Sequence, residues 1–427
     1  MQITVRTIAS LICLLLGFIS NVVYGNTVSN TNATTSNAAS ASPEKYDLEI
    51  DGMYYCITSA DNLSVEVVGG ENVYSGEIVI PNFINYRGRQ FRVTSIADKC
   101  FYNSSITSII IGKNISKIGI NSFLNCNILQ SVTISDGTDL LKIKIDLNYP
   151  WCFNSPIKYL YIGRDILTED MWGLEHHVFY GLSNALDITI GPSVTRLGRG
   201  LFMGANKITT LVIPASVINI EYSAFDRCDG LKSVYFEDSD NNVNCKAYFN
   251  DLPIEYLYIG RNFDSDPFSY NNCSYFYDTS INKIDIGERV THLTSLTDIE
   301  NLYEINIPKN VEEIGSFKGC NKLRNIYCLN DSPPISDYDN VFDDVVFAMA
   351  TLYVPKGRVE TYQSAEIWKN FFEIKEIDEN AASPTISVDE NVGVVGIFDI
   401  NGRRLSHTQN GLNIVKYSNG TVKKIIL

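Results

Sequence analysis

Through the middle of the chain a short apolar-x-apolar segment keeps returning: Ile109/Ile111, Val132/Ile134, Leu160/Ile162, Ile188/Ile190, Leu211/Ile213, Val234/Phe236, Leu257/Ile259, Ile284/Ile286, Ile305/Ile307 and Ile326/Cys328. Alternation with a period of two puts both apolar residues of each segment on one face of a strand and the residue between them on the other. Successive segments are 23, 28, 28, 23, 23, 23, 27, 21 and 21 residues apart. The strand is therefore the fixed part, and the connecting arc absorbs insertions and deletions. A period in this range indicates a solenoid, in which a coil buries its apolar face only by stacking on its neighbours. The expected product is mostly β, with a parallel sheet running along the array.

Other positions keep the same step. Phe179, Phe202 and Phe225 are 23 apart, as are Val194 and Val217, and Leu197 and Ile220. The Phe at 101, 123, 202, 225 and 317 is expected to fill the space between the strand and the opposite side of the coil. Cys126, Cys228 and Cys320 each follow a Phe by three residues. A recurring position implies a recurring slot, and small buried thiols packing as hydrophobes are expected there. Ile314 to Phe317 is a step of three where Ile118 to Phe123 is a step of five, which accounts for the shortened last coils.

The strings Val93-Thr-Ser-Ile96, Lys117-Ile-Gly-Ile-Asn-Ser-Phe-Leu-Asn-Cys126 and Leu211-Val-Ile-Pro-Ala-Ser-Val-Ile-Asn-Ile-Glu-Tyr-Ser-Ala-Phe-Asp-Arg-Cys228 resemble the BspA-like leucine-rich repeat family. The resemblance covers roughly residues 46–378 and is specific because the motif recurs. It implies a right-handed leucine-rich repeat solenoid of secreted or surface-exposed bacterial proteins, some of them adhesins for host matrix proteins or other bacteria. The chain departs from the pattern in irregular coils between residues 135 and 187 and between 237 and 283.

Around this array the chain divides further. Arg6, the apolar stretch Ile8 to Ile19 and Val23-Tyr24-Gly25 have the layout of a signal peptide over 1–25. Its apolar run is shorter than the ~20 residues a spanning helix needs, so no transmembrane segment is expected. Residues 26–45 are rich in Asn, Thr, Ser and Ala and are expected to be a disordered linker. Residues 46–92 are expected to form an N-terminal β cap, 93–330 the leucine-rich repeats, and 331–378 a C-terminal cap closed by Tyr362, Trp368 and Phe371. Residues 379–427 are expected to be a linker and a small C-terminal β module, with Asn401-Gly402 and Asn419-Gly420 as hairpin turns. This tail resembles the C-terminal sorting modules of type IX secretion; a β appendage with no sorting role is the competing interpretation.

Composition narrows the function. A net charge of -15 over 427 residues excludes a phosphate backbone as partner, because nucleic-acid binding needs clustered Lys and Arg. Removing the leader takes away Cys13 and leaves nine Cys, an odd number that cannot all pair. His176 and His177 are adjacent and, in a strand, would face opposite sides; His292 and His407 are isolated. No Gly-x-Ser-x-Gly elbow, phosphate-cradling loop or Cys-x-x-Cys pair occurs. No catalytic residue, metal ligand or cofactor is assigned, and the chain is expected not to be an enzyme.

What remains is surface. The outward position of each strand gives Ile110, Thr133, Tyr161, Thr189, Val212, Tyr235, Tyr258, Asp285, Asn306, Tyr327 and Tyr353. Tyr159 and Tyr256 precede two of these, in the near-duplicate strings Pro156-Ile-Lys-Tyr-Leu-Tyr-Ile-Gly-Arg164 and Pro253-Ile-Glu-Tyr-Leu-Tyr-Ile-Gly-Arg261. Tyr offers rigid contact area with a hydroxyl and is favoured at interfaces; cross-strand packing alone would also explain it. The candidate binding residues are Tyr159, Tyr161, Tyr235, Tyr256, Tyr258 and Tyr327. The expected partner is a protein, from host matrix or another bacterial surface, with a glycan held by the exposed aromatics as the alternative; the chain is expected to be secreted or at the cell surface, and monomeric.

Overall fold

A computed structural model describes residues 46–145, 155–169, 178–179, 182–264, 275–276 and 279–377, together with the backbone of strands Val394–Phe398, Arg404–Leu405, Leu412–Tyr417 and Val422–Ile426. The expected leader and linker, His176, His177 and His407, and the expected hairpin turns at Asn401-Gly402 and Asn419-Gly420 lie outside the described residues.

The repeating segments pair side by side and parallel into a long wall. One part has five strands, from Ser75–Val79 to Asp187–Ile190, and the next has eight, from Thr210–Ile213 to Glu373–Glu376. The register places like over like. Val132 lies between Ile109 and Leu160, and Ile134 between Ile111 and Ile162. Farther along, Leu211, Val234, Leu257, Ile284, Ile305, Ile326, Leu352 and Ile374 form one column. All but Ile374, on the last strand, are buried. Mostly β-branched side chains in such a column pack against the pleat and against each other, which is what selects them for strands.

A second, shorter set of strands closes each coil from the other side, for example Lys117–Ile118, Leu141–Lys144, Asn219–Ile220 and Glu313–Ile314, again parallel to their neighbours. Between the two walls run the recurring Phe rings. Phe101 and Phe123 stack at 5.1 Å between centroids, Phe179 and Phe202 at 6.4 Å, Phe202 and Phe225 at 5.9 Å, Phe225 and Phe249 at 5.3 Å, and Phe317 and Phe342 at 5.2 Å. These spacings exceed the ~4.8 Å separation of neighbouring strands, so the rings are offset, the arrangement aromatic pairs prefer. The Cys slot lies beside this column. The thiols of Cys126, Cys228 and Cys320 are buried and donate to the carbonyls of Phe101, Phe202 and Leu296, each in the preceding coil.

At the N-terminal end the column passes from Phe101 to Tyr74, Tyr54 and Tyr46. The Tyr74 hydroxyl accepts from the Tyr54 amide and donates to the Val68 carbonyl, so a polar tip is satisfied where the core meets the end of the array. Antiparallel strands Leu48–Ile50, Met53–Ser59 and Ser64–Val68 cover this end, and the last of them pairs parallel with Arg89–Ile96. At the other end helices Asp344–Met349 and Val359–Ser364 replace arcs of the coil, while Thr351–Val354 and Glu373–Glu376 continue the wall. Trp368 is buried there, its indole N–H on the Pro334 carbonyl at 2.8 Å, against Phe342 and Tyr362. The described tail strands form a separate four-stranded antiparallel sheet.

Candidate binding surface

Every coil sends two residues of its strand away from the core, and this outer face of the wall carries the six candidate tyrosines. The structure gathers three of them. Tyr235 and Tyr258 are register partners, and Tyr256 lies beside both; Tyr235 is 5.2 Å from Tyr256 and 6.4 Å from Tyr258 between ring centroids, with the rings tilted by 47° and 35°. All three are half-buried. Tyr159 and Tyr161 lie together on the strand Tyr159–Ile162, and Tyr327 lies farther along the wall, stacked on Tyr353 at 4.6 Å and 11°.

The hydroxyls are held by carboxylates that the sequence pattern did not single out for this face. Tyr161 donates to Asp136 Oδ1 at 2.7 Å and Tyr258 to Asp238 Oδ1 at 2.9 Å. Tyr256 donates to Asp285 Oδ2 at 2.7 Å. Asp136 and Asp238 each come two residues after a wall strand ends, at Ile134 and Phe236; that offset was the available signal. Burial pushes the Tyr235 phenol up to about 12 and raises those of Tyr256 and Tyr258 further, with the hydrogen bonds to Asp285 and Asp238 adding to the rise. These phenols stay neutral at physiological pH, and those of Tyr256 and Tyr258 act as donors.

Outward does not mean exposed. Tyr161 and Thr133 each retain only 4% of their surface. They line a shallow dent with Tyr159, Asp187 and Thr189, about 20 Å³ in volume, room for roughly one water. By contrast Lys283, which follows Tyr256 in register, has a side chain 64% exposed; its Nζ is 3.2 Å from Asp285 Oδ2 and 5.5 Å from the centroid of the Tyr256 ring.

Behind the face, the two duplicate strings end in the buried arginines Arg164 and Arg261. Arg164 donates to the carbonyls of Lys113 and Gly112, and Arg261 to those of Glu237, Ala215, Val217, Ile213 and Pro214. Each therefore reaches back across two coils. Desolvation lowers both guanidinium pKa values, that of Arg164 to about 10.

His292 is exposed, its Nδ1 2.8 Å from Thr291 Oγ1 and its Nε2 3.5 Å from Glu313. Among the described residues no cluster of His, Cys, Asp and Glu has the makings of a metal site, and no helix is long and apolar enough to cross a membrane.

Strand-per-coil stacking, an inner aromatic column and an outer face built from alternate strand residues define a leucine-rich repeat solenoid. The profile of the BspA type leucine-rich repeat region matches residues 90–147, 161–275 and 265–345, in six copies. The chain belongs to this family. Among solved structures it is similar to a leucine-rich repeat protein from Bacteroides ovatus ATCC 8483, at 20% identity over 78% of this chain and 100% of that one, with a TM-score of 0.33. It is also similar to a leucine rich cell surface protein from Faecalibacterium prausnitzii A2-165, at 18% identity over 80% of this chain and 96% of that one, TM-score 0.31. A third likeness is to a leucine-rich repeat protein from T. pallidum, at 16% identity over 62% and 91% of the two chains, TM-score 0.29. Among curated proteins none matches.

Proposed function

We propose that this chain is a secreted or cell-surface repeat protein that binds another protein through the outer face of its wall, with Tyr159, Tyr235, Tyr256, Tyr258 and Tyr327 as contacts and Tyr161, expected from the sequence to join them but buried, as support beneath Tyr159. The observation that carries this is the Tyr235–Tyr256–Tyr258 cluster, whose rings lie together on one face while Asp285 and Asp238 fix two of the hydroxyls. A partner that meets pre-ordered rings pays little for ordering them, so more of the contact energy appears as affinity. Aromatic side chains in such positions are the usual hot spots of protein interfaces. Secretion through a leader at 1–25, and a sorting role for the tail, belong to the same proposal.

The test is binding of the secreted chain to arrays of extracellular-matrix proteins, bacterial surface proteins and glycans, followed by Tyr235→Ala with Tyr258→Ala. The double change is expected to weaken binding by ~2 kcal/mol or more, about thirtyfold, with an unchanged far-UV circular dichroism spectrum. Unchanged affinity would remove the wall as the site. Capture on the glycan array alone would make the ligand a carbohydrate.

A further inference from the structure

The tyrosine cluster also carries a charge pattern. Two phenols donate their protons to Asp285 and Asp238, so their donor capacity is used inside the protein. Each carboxylate offers about four lone-pair positions, and the face thus keeps acceptors in excess of donors. The ring faces that remain between these acids carry the negative side of the aromatic quadrupole. Both features favour a positively charged donor and disfavour an anion.

The molecule already holds one such group. Lys283 places its Nζ 3.2 Å from Asp285 and 5.5 Å from the Tyr256 centroid, a distance at which an ammonium is attracted by an aromatic face. Its side chain is 64% exposed, and an exposed ion pair on a flexible stem is held weakly. An arriving cation can displace it without disturbing the core. The overall charge of -15 draws the same class of ligand toward the chain.

We propose that Tyr235, Tyr256 and Tyr258, with Asp238 and Asp285, form a receptor site for a Lys ammonium or Arg guanidinium of the partner, and that Lys283 is its internal stand-in. This rests on the wall being a protein-binding surface. The partner segment is basic. Its cation lies over the Tyr256 ring and takes up Asp285, while Lys283 swings into solvent.

The experiment uses the full chain and two Gly/Ser peptides of equal length, one carrying several lysines and the other the same lysines acetylated, with titration calorimetry at low and at physiological salt. Lys283→Gln is expected to tighten the lysine peptide about threefold by removing an internal competitor, and to leave the acetylated twin as it was. Lys322→Gln, a loss of the same charge at an exposed lysine bonded to Asn301, controls for net charge and is expected to change nothing. Asp285→Asn is expected to weaken the lysine peptide about fivefold while both proteins give the same circular dichroism spectrum. Equal effects of the two lysine changes, a weakening by Lys283→Gln, or equal binding of the two peptides overturns the proposal. If an array-identified partner still loses affinity with Tyr235→Ala and Tyr258→Ala while Lys283→Gln brings no gain, the wall binds without a cation and this inference alone fails. If the tyrosine changes have no effect, the binding surface itself is misplaced.

Discussion

Arg261 is the sharpest test of how the coils are held together. It is fully buried, at 0% exposure, and its five N–H groups match five hydrogen bonds to backbone carbonyls: Nε to Glu237 at 3.0 Å, Nη1 to Val217 at 2.8 Å and Ala215 at 3.2 Å, and Nη2 to Pro214 at 2.7 Å and Ile213 at 3.3 Å. Arg261→Met keeps most of the stem and deletes the fork. Three of the carbonyls retain another donor, Ile213 from the Glu237 amide, Pro214 from the Val217 amide and Ala215 from the Ser239 hydroxyl. Among the described residues the carbonyls of Val217 and Glu237 retain none. Each orphaned buried acceptor costs ~1–3 kcal/mol, a loss partly offset because a charge no longer has to be desolvated. The expected net cost is ~2–4 kcal/mol, and ~3 kcal/mol corresponds to about a hundredfold in an opening equilibrium. Coils in a solenoid contact only their neighbours, so the effect should be local. Hydrogen exchange read by mass spectrometry is expected to accelerate about a hundredfold in Thr210–Ile213, Ser233–Phe236 and Tyr256–Ile259 and little in Asn325–Cys328. Arg261→Lys, with three donors and no fork, should fall between. Acceleration below about tenfold in the first three strands, or an equal change in the distal one, refutes the account of Arg261 as a staple.

Two further outcomes follow from the core. Phe225→Ala opens a hole between Phe202 and Phe249, whose centroids lie 5.9 and 5.3 Å away, and is expected to cost ~3–5 kcal/mol in urea denaturation; Thr189→Ala on the outer face should stay within ~0.5 kcal/mol, and equal losses would mean that inner and outer faces have been exchanged. Burial pushes the thiols of Cys228, Cys320 and Cys328 up to about 12 from an ordinary 9.0. Because the folded-state pKa is the raised one, their contribution to stability is complete below pH 9 and is lost as pH climbs from there toward 12. Each thiol contributes a slope of ~1.4 kcal/mol per pH unit in that window, so the denaturation midpoint should not vary on their account between about pH 7 and 8 and should fall steeply above 9; an unchanged midpoint at about pH 10.5 would place these thiols in water.

The inner half of the fold was legible because the signal is carried by the residues that do the packing. Leu211, Val234 and Leu257 recur at a fixed step, each with a second apolar residue two positions on, and the wall stacks them in register. The Phe and Cys slots were legible for the same reason. The outer face was legible only as a set of tyrosines. An Asp beyond the end of a strand reads as solvated surface, so the shared offset of Asp136 and Asp238 was visible in the sequence but their bonds to Tyr161 and Tyr258, 25 and 20 residues later, were not. Arg164 and Arg261 were legible as repeated letters, not as staples. Buried Arg is rare, and its partners here are main-chain carbonyls up to 52 residues back, which leave no side-chain signature. The wall strands at the two ends were hidden differently: Ser75–Val79 and Glu373–Glu376 are not preceded by a Phe-x-x-Cys string like those ending at Cys126, Cys228 and Cys320, so their pairing with Ser105–Ile111 and Thr351–Val354 is what identifies them as rungs.

The two duplicate strings show how the inner and outer faces depend on one another. In each, the glycine that follows the next wall strand, Gly191 or Gly287, sits where an added Cβ would overlap both the tyrosine hydroxyl and the carboxylate oxygen it bonds. The absence of a side chain at that position lets Tyr161 reach Asp136 and Tyr258 reach Asp238. The arginine of the same string turns the other way and ties its coil to the two before it. A hydroxyl fixed to a carboxylate on one side of a strand is useful for recognition only if the strand itself does not shift. The Tyr256–Ile259 rung is tethered through the Arg261 fork, the Leu257 column and the neighbouring Phe236 ring packed against Phe249 and Phe263. Placing rigid aromatics on rungs tied by a buried arginine lowers the ordering cost that binding would otherwise impose. That coincidence of outer tyrosines with inner staples, occurring twice at strings Pro156–Arg164 and Pro253–Arg261, is not needed to hold a solenoid together, since the rungs at Glu304–Ile307 and Asn325–Cys328 pair in register without a bond from either arginine.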